Sequence, residues 1–168
     1  MKRIYLLRIL VTLAFTCCLA FIIFGIPFTV IFSLFPGLMP ATLHTKVETL
    51  RGSGRYVLPH LFLIIGATAC NAYALFRIKE MLKLFEKNIF FDERVSKHFN
   101  IAGRMVLCGF LLQLINDTFY ITHDNFVGFN LDIDLTTFVL PSAGLLLLAL
   151  SDVFSKAKTL KDENDLTV

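Results

Sequence analysis

The sequence predicts an all-α membrane protein in which four transmembrane helices form a bundle, with a cytoplasmic helical hairpin between the second and third spans. Three observations predict this fold class. The 168 residues are 56% hydrophobic and only 17% charged, with a mean hydropathy of +0.71, whereas a soluble domain carries about a quarter charged residues. Four long apolar segments follow one another, and the basic residues are concentrated in alternate loops. The length suits a single four-span domain, 1–168.

Each apolar segment has the roughly 20 residues that a helix needs to cross a bilayer. The first segment is the longest, and we expect Pro27, Pro36 and Pro40 to bend the chain where it leaves the membrane. A signal peptide is the alternative for this segment, but the apolar run is too long and no clear small-x-small cleavage site follows it. The four spans are predicted at about 9–31, 57–76, 101–120 and 135–153.

The orientation of the spans follows from the Lys and Arg residues in the short loops. Thirteen of the sixteen basic residues lie in the N-terminal segment, in the loop between the second and third spans, or in the tail 154–168. The first outer loop has only Lys46, Arg51 and Arg55, and the loop between the third and fourth spans has none. Both ends of the chain and the central loop are therefore predicted to be cytoplasmic.

The central segment 77–100 is predicted to form a helical hairpin. Its first arm continues the second span as an amphipathic helix, because four apolar residues share one helix face: Ile78, Met81, Leu82 and Phe85. Asn88-Ile-Phe-Phe91 interrupts this helix. Asp92 is suited to cap the next helix, and Glu93 is favourably placed in its first turn.

This hairpin has a basic surface and an aromatic tip at Phe90 and Phe91. One interpretation is a membrane anchor whose basic face lies against anionic lipid headgroups. The other is a docking surface for a cytoplasmic protein. The two interpretations are compatible, because a hairpin held at the lipid surface can also recruit a partner.

The sequence has few residues that could catalyse a reaction or bind a metal or cofactor. The four cysteines lie in apolar runs without C-x-x-C spacing, and we interpret them as packing residues. The outer side holds His123 and several aspartates, and His60 begins the second span, but no two of these residues have ligand spacing on one helix turn. No metal site is therefore assigned, and metal binding stays an alternative there. No cofactor site and no catalytic arrangement is predicted, and we expect a non-enzyme. A net charge of +3 is too small to indicate direct nucleic-acid binding.

Polar residues within the spans are costly in lipid and therefore need a role. Asn71 lies in the second span, and Gln113 and Asn116 lie in the third. Hydrogen bonding between helices is the simplest role for Asn71 and Gln113. Lining the path of a small oligomeric transporter or channel is the alternative.

Two segments carry a family resemblance. The first is Lys83-Leu-Phe-Glu-Lys-Asn-Ile-Phe-Phe-Asp-Glu-Arg-Val95, followed by Ile101-Ala-Gly-Arg104. The second is the tail, Ala149-Leu-Ser-Asp-Val-Phe154 followed by Leu160-Lys-Asp-Glu-Asn-Asp-Leu-Thr-Val168. Together they resemble a bacterial membrane protein family catalogued as domain of unknown function 2975. The chain departs from the family pattern at Ile89, where proline is common, and by the additional Phe91.

The resemblance implies four spans in a bacterial inner (plasma) membrane, and it implies no activity. Members of the family are often encoded beside a small helix-turn-helix regulator of the Xre type, which makes such a cytoplasmic regulator a candidate partner. We therefore expect a regulatory or interaction protein, either alone or as a homo-oligomer. The candidate partner-binding residues are Phe90, Phe91, Asp92, Glu93, Arg94, Asp165, Leu166, Thr167 and Val168.

Overall fold

The computed structural model describes residues 2–27, 30–31, 57–121 and 135–166, and this part of the chain is helical with no strand. Helix α1 is Lys2–Ala20, and a π-helical segment, Phe21–Gly25, extends it. Helices α2, α3 and α4 are Val57–Glu86, Glu93–Ile121 and Leu135–Asp165. The prediction of an all-helical chain is confirmed for these residues.

Four stretches of these helices are long and apolar enough to cross a membrane: Ile4–Gly25, Phe62–Glu86, Glu93–Asp117 and Thr137–Asn164. Large apolar side chains are exposed along all four helices, including Leu10, Phe24, Phe62, Leu111 and Leu145. So much exposed apolar surface is stable in lipid and unfavourable in water. The chain is therefore a multi-pass membrane protein, as its composition predicts.

The π-helical segment has a cause in the sequence. Pro27 has no backbone N–H, and in a regular α-helix its ring would meet the carbonyl group of Ile23. A wider π turn over Phe21–Gly25 accommodates such a break in the hydrogen-bond pattern. Pro27 thus distorts the first helix at its exit, whereas Pro36 and Pro40 lie outside the described residues.

Helix α2 runs without interruption to Glu86 and ends in a regular capping motif. Asn88 has a φ of 58°, a left-handed conformation that asparagine tolerates better than most residues. The N–H of Ile89 donates to the carbonyl of Leu84 at 3.0 Å, and the N–H of Asn88 donates to that of Phe85 at 3.0 Å. This pair of bonds is a Schellman motif, which satisfies the last helical carbonyls and turns the chain towards α3.

The main helix contacts join neighbours in the chain, α1 with α2, α2 with α3, and α3 with α4. A buried cluster of Met81, Leu82, Val95 and Phe99 lies beside the α2–α3 turn. We call this end of the molecule the hairpin end. Residues of α1 and α4 pack against the same cluster: Ile4, Val11, Leu147, Leu150 and Phe154. The amphipathic face predicted for the first hairpin arm is the face that packs here.

Candidate functional site

The first group of predicted partner-binding residues, 90–94, lies at the turn between α2 and α3. Asp92 caps α3, because its Oδ1 accepts a hydrogen bond from the backbone N–H of Arg94 at 2.8 Å. The Arg94 side chain also pairs with this carboxylate, with Nη2 2.8 Å from Oδ2. These bonds to Arg94 lower the pKa of Asp92 to about 2, and the positive charge of Lys158 on α4 adds to the effect. The predicted cap is confirmed, and Asp92 is ionised at neutral pH.

The two phenylalanines of the turn have different roles. Phe90 is half-buried and packs on Phe85 with a ring-centroid distance of 5.2 Å. Phe91 is 50% exposed, and the Lys161 ammonium of α4 lies 5.9 Å from its ring centroid. Phe90 therefore fixes the turn to α2, while Phe91 presents an aromatic face beside the end of α4.

A line of aromatic rings connects the hairpin to the last helix. The Phe154 ring stacks on that of Phe99 at 5.3 Å and lies 5.9 Å from that of Phe85. Ser96 and Ser151 also exchange hydrogen bonds between α3 and α4. The Ser96 hydroxyl donates to the Ser151 carbonyl at 3.0 Å, and the Ser151 hydroxyl donates to the Ser96 carbonyl at 2.9 Å. The C-terminal part of α4 is thus packed against the hairpin.

We use the name hairpin–tail surface for Phe91, Asp92, Arg94, Lys158 and Lys161. All of them except Lys158 come from the two segments that carry the family resemblance, and the fold brings these segments together. Of the other predicted residues, Glu93 is exposed at the start of α3 and forms an ion pair with Lys97 at 2.8 Å. Leu166 is 87% exposed at the end of α4. The Asp165 side chain, Thr167 and Val168 lie outside what the structure describes.

The end of α4 beside this surface has two unusual properties. Its last turn holds no basic residue, and the sequence there is Asp162-Glu-Asn-Asp165. Acidic groups at a helix C-terminus oppose the helix dipole, so local helix stability does not favour them. Leu160 is also 65% exposed. The end of α4 therefore presents exposed leucines beside exposed acidic side chains.

Sequence reasoning missed the Ser96–Ser151 pair and an ion pair between Arg8 of α1 and Glu86 of α2. The partners are 55 and 78 positions apart, respectively, and no local pattern relates such distant residues. The Glu86 Oε1 atom is buried without a hydrogen-bond partner. Arg8 is therefore the main group that offsets the cost of partly burying the Glu86 carboxylate.

The three polar residues of the spans do not form one continuous group. Asn116 is buried, with 6% exposure, and its Oδ1 has no hydrogen-bond partner. Gln113 is exposed, and Asn71 lies in the interface between α2 and α3 close to Gly109. Interhelical hydrogen bonding by Gln113 and Asn71 stays a prediction.

Metal-binding geometry does not occur in the described part of the chain, where no three His, Cys, Asp or Glu residues come close enough to share an ion. The outer-loop residue His123 lies outside the described residues, as do the aspartates near it. The alternative of a metal site in the outer loops therefore stays a prediction.

Comparison with known proteins identifies one family. The family model described as protein of unknown function (DUF2975) matches residues 39–168, which include the hairpin and the whole of α4. No curated protein and no solved structure matches the chain.

Proposed function

Since the chain belongs to the family of proteins of unknown function DUF2975, we propose that it is a regulatory or interaction protein of the bacterial inner membrane. Its hairpin–tail surface recruits a cytoplasmic protein, of which a small helix-turn-helix regulator is the leading candidate. One observation carries this proposal. Contacts of Phe154 with Phe85 and of Lys161 with Phe91 unite the two motif-bearing segments in one surface.

The acidic end of α4 beside this surface suits a partner with a basic and partly apolar face. The end of α4 offers acidic side chains beside the exposed Leu160 and Leu166. DNA-binding domains of the helix-turn-helix class carry clustered Lys and Arg residues. Charge complementarity would steer such a protein to the acidic end, and the leucines would then supply apolar contact.

The proposal requires the hairpin end to be cytoplasmic, which the distribution of basic residues supports. Fusions of a fluorescent protein and of alkaline phosphatase to the C-terminus test this orientation in cells. We expect fluorescence and no phosphatase activity, because the phosphatase folds only after export. Phosphatase activity of the C-terminal fusion would contradict the orientation.

A pull-down experiment tests the recruitment. The full-length chain, solubilised in mild detergent, is expected to retain a purified small helix-turn-helix protein encoded beside it. Deletion of Leu160–Val168 should abolish retention, and Asp162→Lys should weaken it at low salt. Leu145→Ala, on an exposed apolar position of α4 far from the surface, serves as the matched control and should bind normally. Unchanged retention after the deletion would remove the tail from the binding surface.

The alternative function is a small oligomeric transporter or channel. The observation in its favour is the buried, unpartnered Oδ1 of Asn116, with the exposed Gln113 on the same helix. It predicts solute flux in proteoliposomes that Gln113→Leu reduces. Absence of flux for a panel of inorganic ions and organic cations would count against it.

A further inference from the structure

Two cysteines that are 38 positions apart in the sequence face each other between α2 and α3. The Sγ atoms of Cys70 and Cys108 are 3.9 Å apart. Both residues lie inside stretches that are apolar enough to span the membrane. No local sequence pattern pairs them, because a contact between two helices depends on how the helices pack.

The backbones of α2 and α3 are unusually close beside this pair. A Cβ atom on Gly109 would lie 3.2 Å from the Ala67 carbonyl oxygen and 3.0 Å from Asn71 Oδ1. Small residues allow such an approach of two helices in a membrane. A disulfide needs Cα atoms within about 7 Å and Cβ atoms within about 4.5 Å, which only closely packed helices supply.

The hairpin end holds the two helices in this register. Met81 and Leu82 of α2 pack with Val95 and Phe99 of α3 in the buried cluster, and the capped turn connects the helices directly. The two thiols are therefore presented to each other by a fixed scaffold. Cys17 and Cys18 differ in this respect, because they are adjacent on α1 and their side chains diverge around the helix.

We propose that Cys70 and Cys108 form an intramembrane dithiol that closes to an interhelical disulfide when a lipid-soluble oxidant reaches it. In this step two S–H bonds break and one S–S bond forms. A quinone or a diazene accepts the two hydrogen atoms, which are two protons and two electrons, and it becomes the hydroquinone or the hydrazine. No free proton is left in the apolar interior, where charge is costly.

The site is open to an oxidant of this class. Cys108 is exposed on the outer surface of α3 and Cys70 is half-buried, so a small apolar molecule dissolved in lipid can approach the pair from one side. The product would join α2 to α3, the two helices that carry the hairpin. The inference extends beyond the proposed partner binding and does not depend on it.

The test uses the full-length chain in membranes, with Cys17→Ala and Cys18→Ala so that only the pair remains. Diamide, a membrane-permeant diazene, is added, and the remaining thiols are alkylated with N-ethylmaleimide. We expect the intact mass to show the loss of two hydrogen atoms and no alkylation. Peptide mapping should find Cys70 linked to Cys108 in the same chain, and a reductant should restore alkylation of both.

A displaced pair provides the matched control. Cys108→Ala with Leu111→Cys moves the second thiol one turn along the same exposed face of α3, where Leu111 is also exposed. We expect this variant to form the intramolecular disulfide about tenfold more slowly or not at all, because the geometric limits of a disulfide are narrow. An equal rate in the displaced variant would overturn the inference. So would alkylation of both native thiols after diamide treatment, or disulfides found only between chains.

Discussion

Single glycines set the distance between α3 and α4. A Cβ atom on Gly103 would lie 2.8 Å from the Gly144 carbonyl oxygen and 2.9 Å from Leu148 Cγ. The carbonyl oxygen belongs to the backbone and cannot move aside cheaply, so any side chain at this position forces the helices apart. Gly66 is different, because its Cβ would meet only the Leu112 Cδ1 atom at 3.3 Å.

We therefore predict that Gly103→Ala destabilises the protein by about 1–3 kcal/mol through overpacking. The matched control, Gly66→Ala, should change stability little, because the end of the Leu112 side chain can rotate away. Thermal unfolding in detergent, followed by scanning fluorimetry, measures both variants. Equal melting temperatures for the two variants would show that the α3–α4 contact is looser than the structure indicates.

Asp92 determines how acid affects the start of α3. Its pKa in the folded chain is about 2, below its ordinary value of 3.8. A lowered folded-state pKa means that the charged carboxylate adds stability that is complete above the unfolded value. This stability is lost as the pH falls through about 2.

Asp92→Asn should keep the N-cap and lose this acid dependence, because asparagine accepts the same backbone hydrogen bond without a charge. Asp92→Ala should lose both the cap and the acid dependence, and it should be the less stable variant at neutral pH. Melting temperatures measured from neutral to acid pH test the expectation. An acid dependence of Asp92→Asn equal to that of the unmodified chain would assign the effect to another carboxylate.

Between helices, the serine pair fixes α4 against the hairpin. Ser151 is only 2% exposed, and each serine hydroxyl donates to the carbonyl of the other residue. Polar side chains that bond across helices stabilise packing in a membrane by about 0.6–2 kcal/mol. Ser96 lies between Val95 and Phe99 of the buried cluster along α3, so the pair holds α4 in the register that brings Lys161 to Phe91.

We predict that Ser151→Ala lowers the free energy of unfolding by about 1 kcal/mol. The double variant Ser96→Ala, Ser151→Ala should lose less than the sum of the two single losses, because the two hydroxyl groups also contact each other, with their Oγ atoms 3.1 Å apart. Thr159→Ala is the control, since the Thr159 hydroxyl bonds only within its own helix, to the Ser155 carbonyl at 3.2 Å. Additive losses in this double-mutant cycle would mean that the two serines act separately.

Among the four helices that the structure describes, α1 is the least enclosed. No residue of its apolar stretch Ile4–Gly25 is buried. It is held to α2 by the Arg8–Glu86 ion pair and by the contact of Phe15 with Phe76, whose ring centroids are 6.0 Å apart. This ion pair lies at the hairpin end, close to the buried cluster that Ile4 and Val11 contact.

Arg8→Gln should cost about 1–2 kcal/mol of stability, because it leaves the partly buried Glu86 carboxylate without its charged donor. Adding Glu86→Gln to this variant should restore part of the loss. Lys97→Gln is the control, because its ion pair with Glu93 is largely exposed and exposed pairs contribute little to stability. Chemical unfolding in mixed micelles measures all three variants. A larger loss for Lys97→Gln than for Arg8→Gln would contradict this account of how α1 is held.

The sequence alone determined that the four described membrane-spanning segments are helices. A segment that crosses lipid must be apolar and about 20 residues long, and both properties can be read directly from the sequence. It also determined local features that depend on neighbours in the chain: the N-cap at Asp92, the apolar face of Met81 and Leu82, and the disturbance before Pro27. Only the tertiary structure decided which distant residues meet. Arg8 with Glu86, Ser96 with Ser151, Cys70 with Cys108 and Phe91 with Lys161 all depend on the register between helices. Helix register is set by shape at small residues such as Gly103 and by the buried cluster as a whole, and no single local pattern records it.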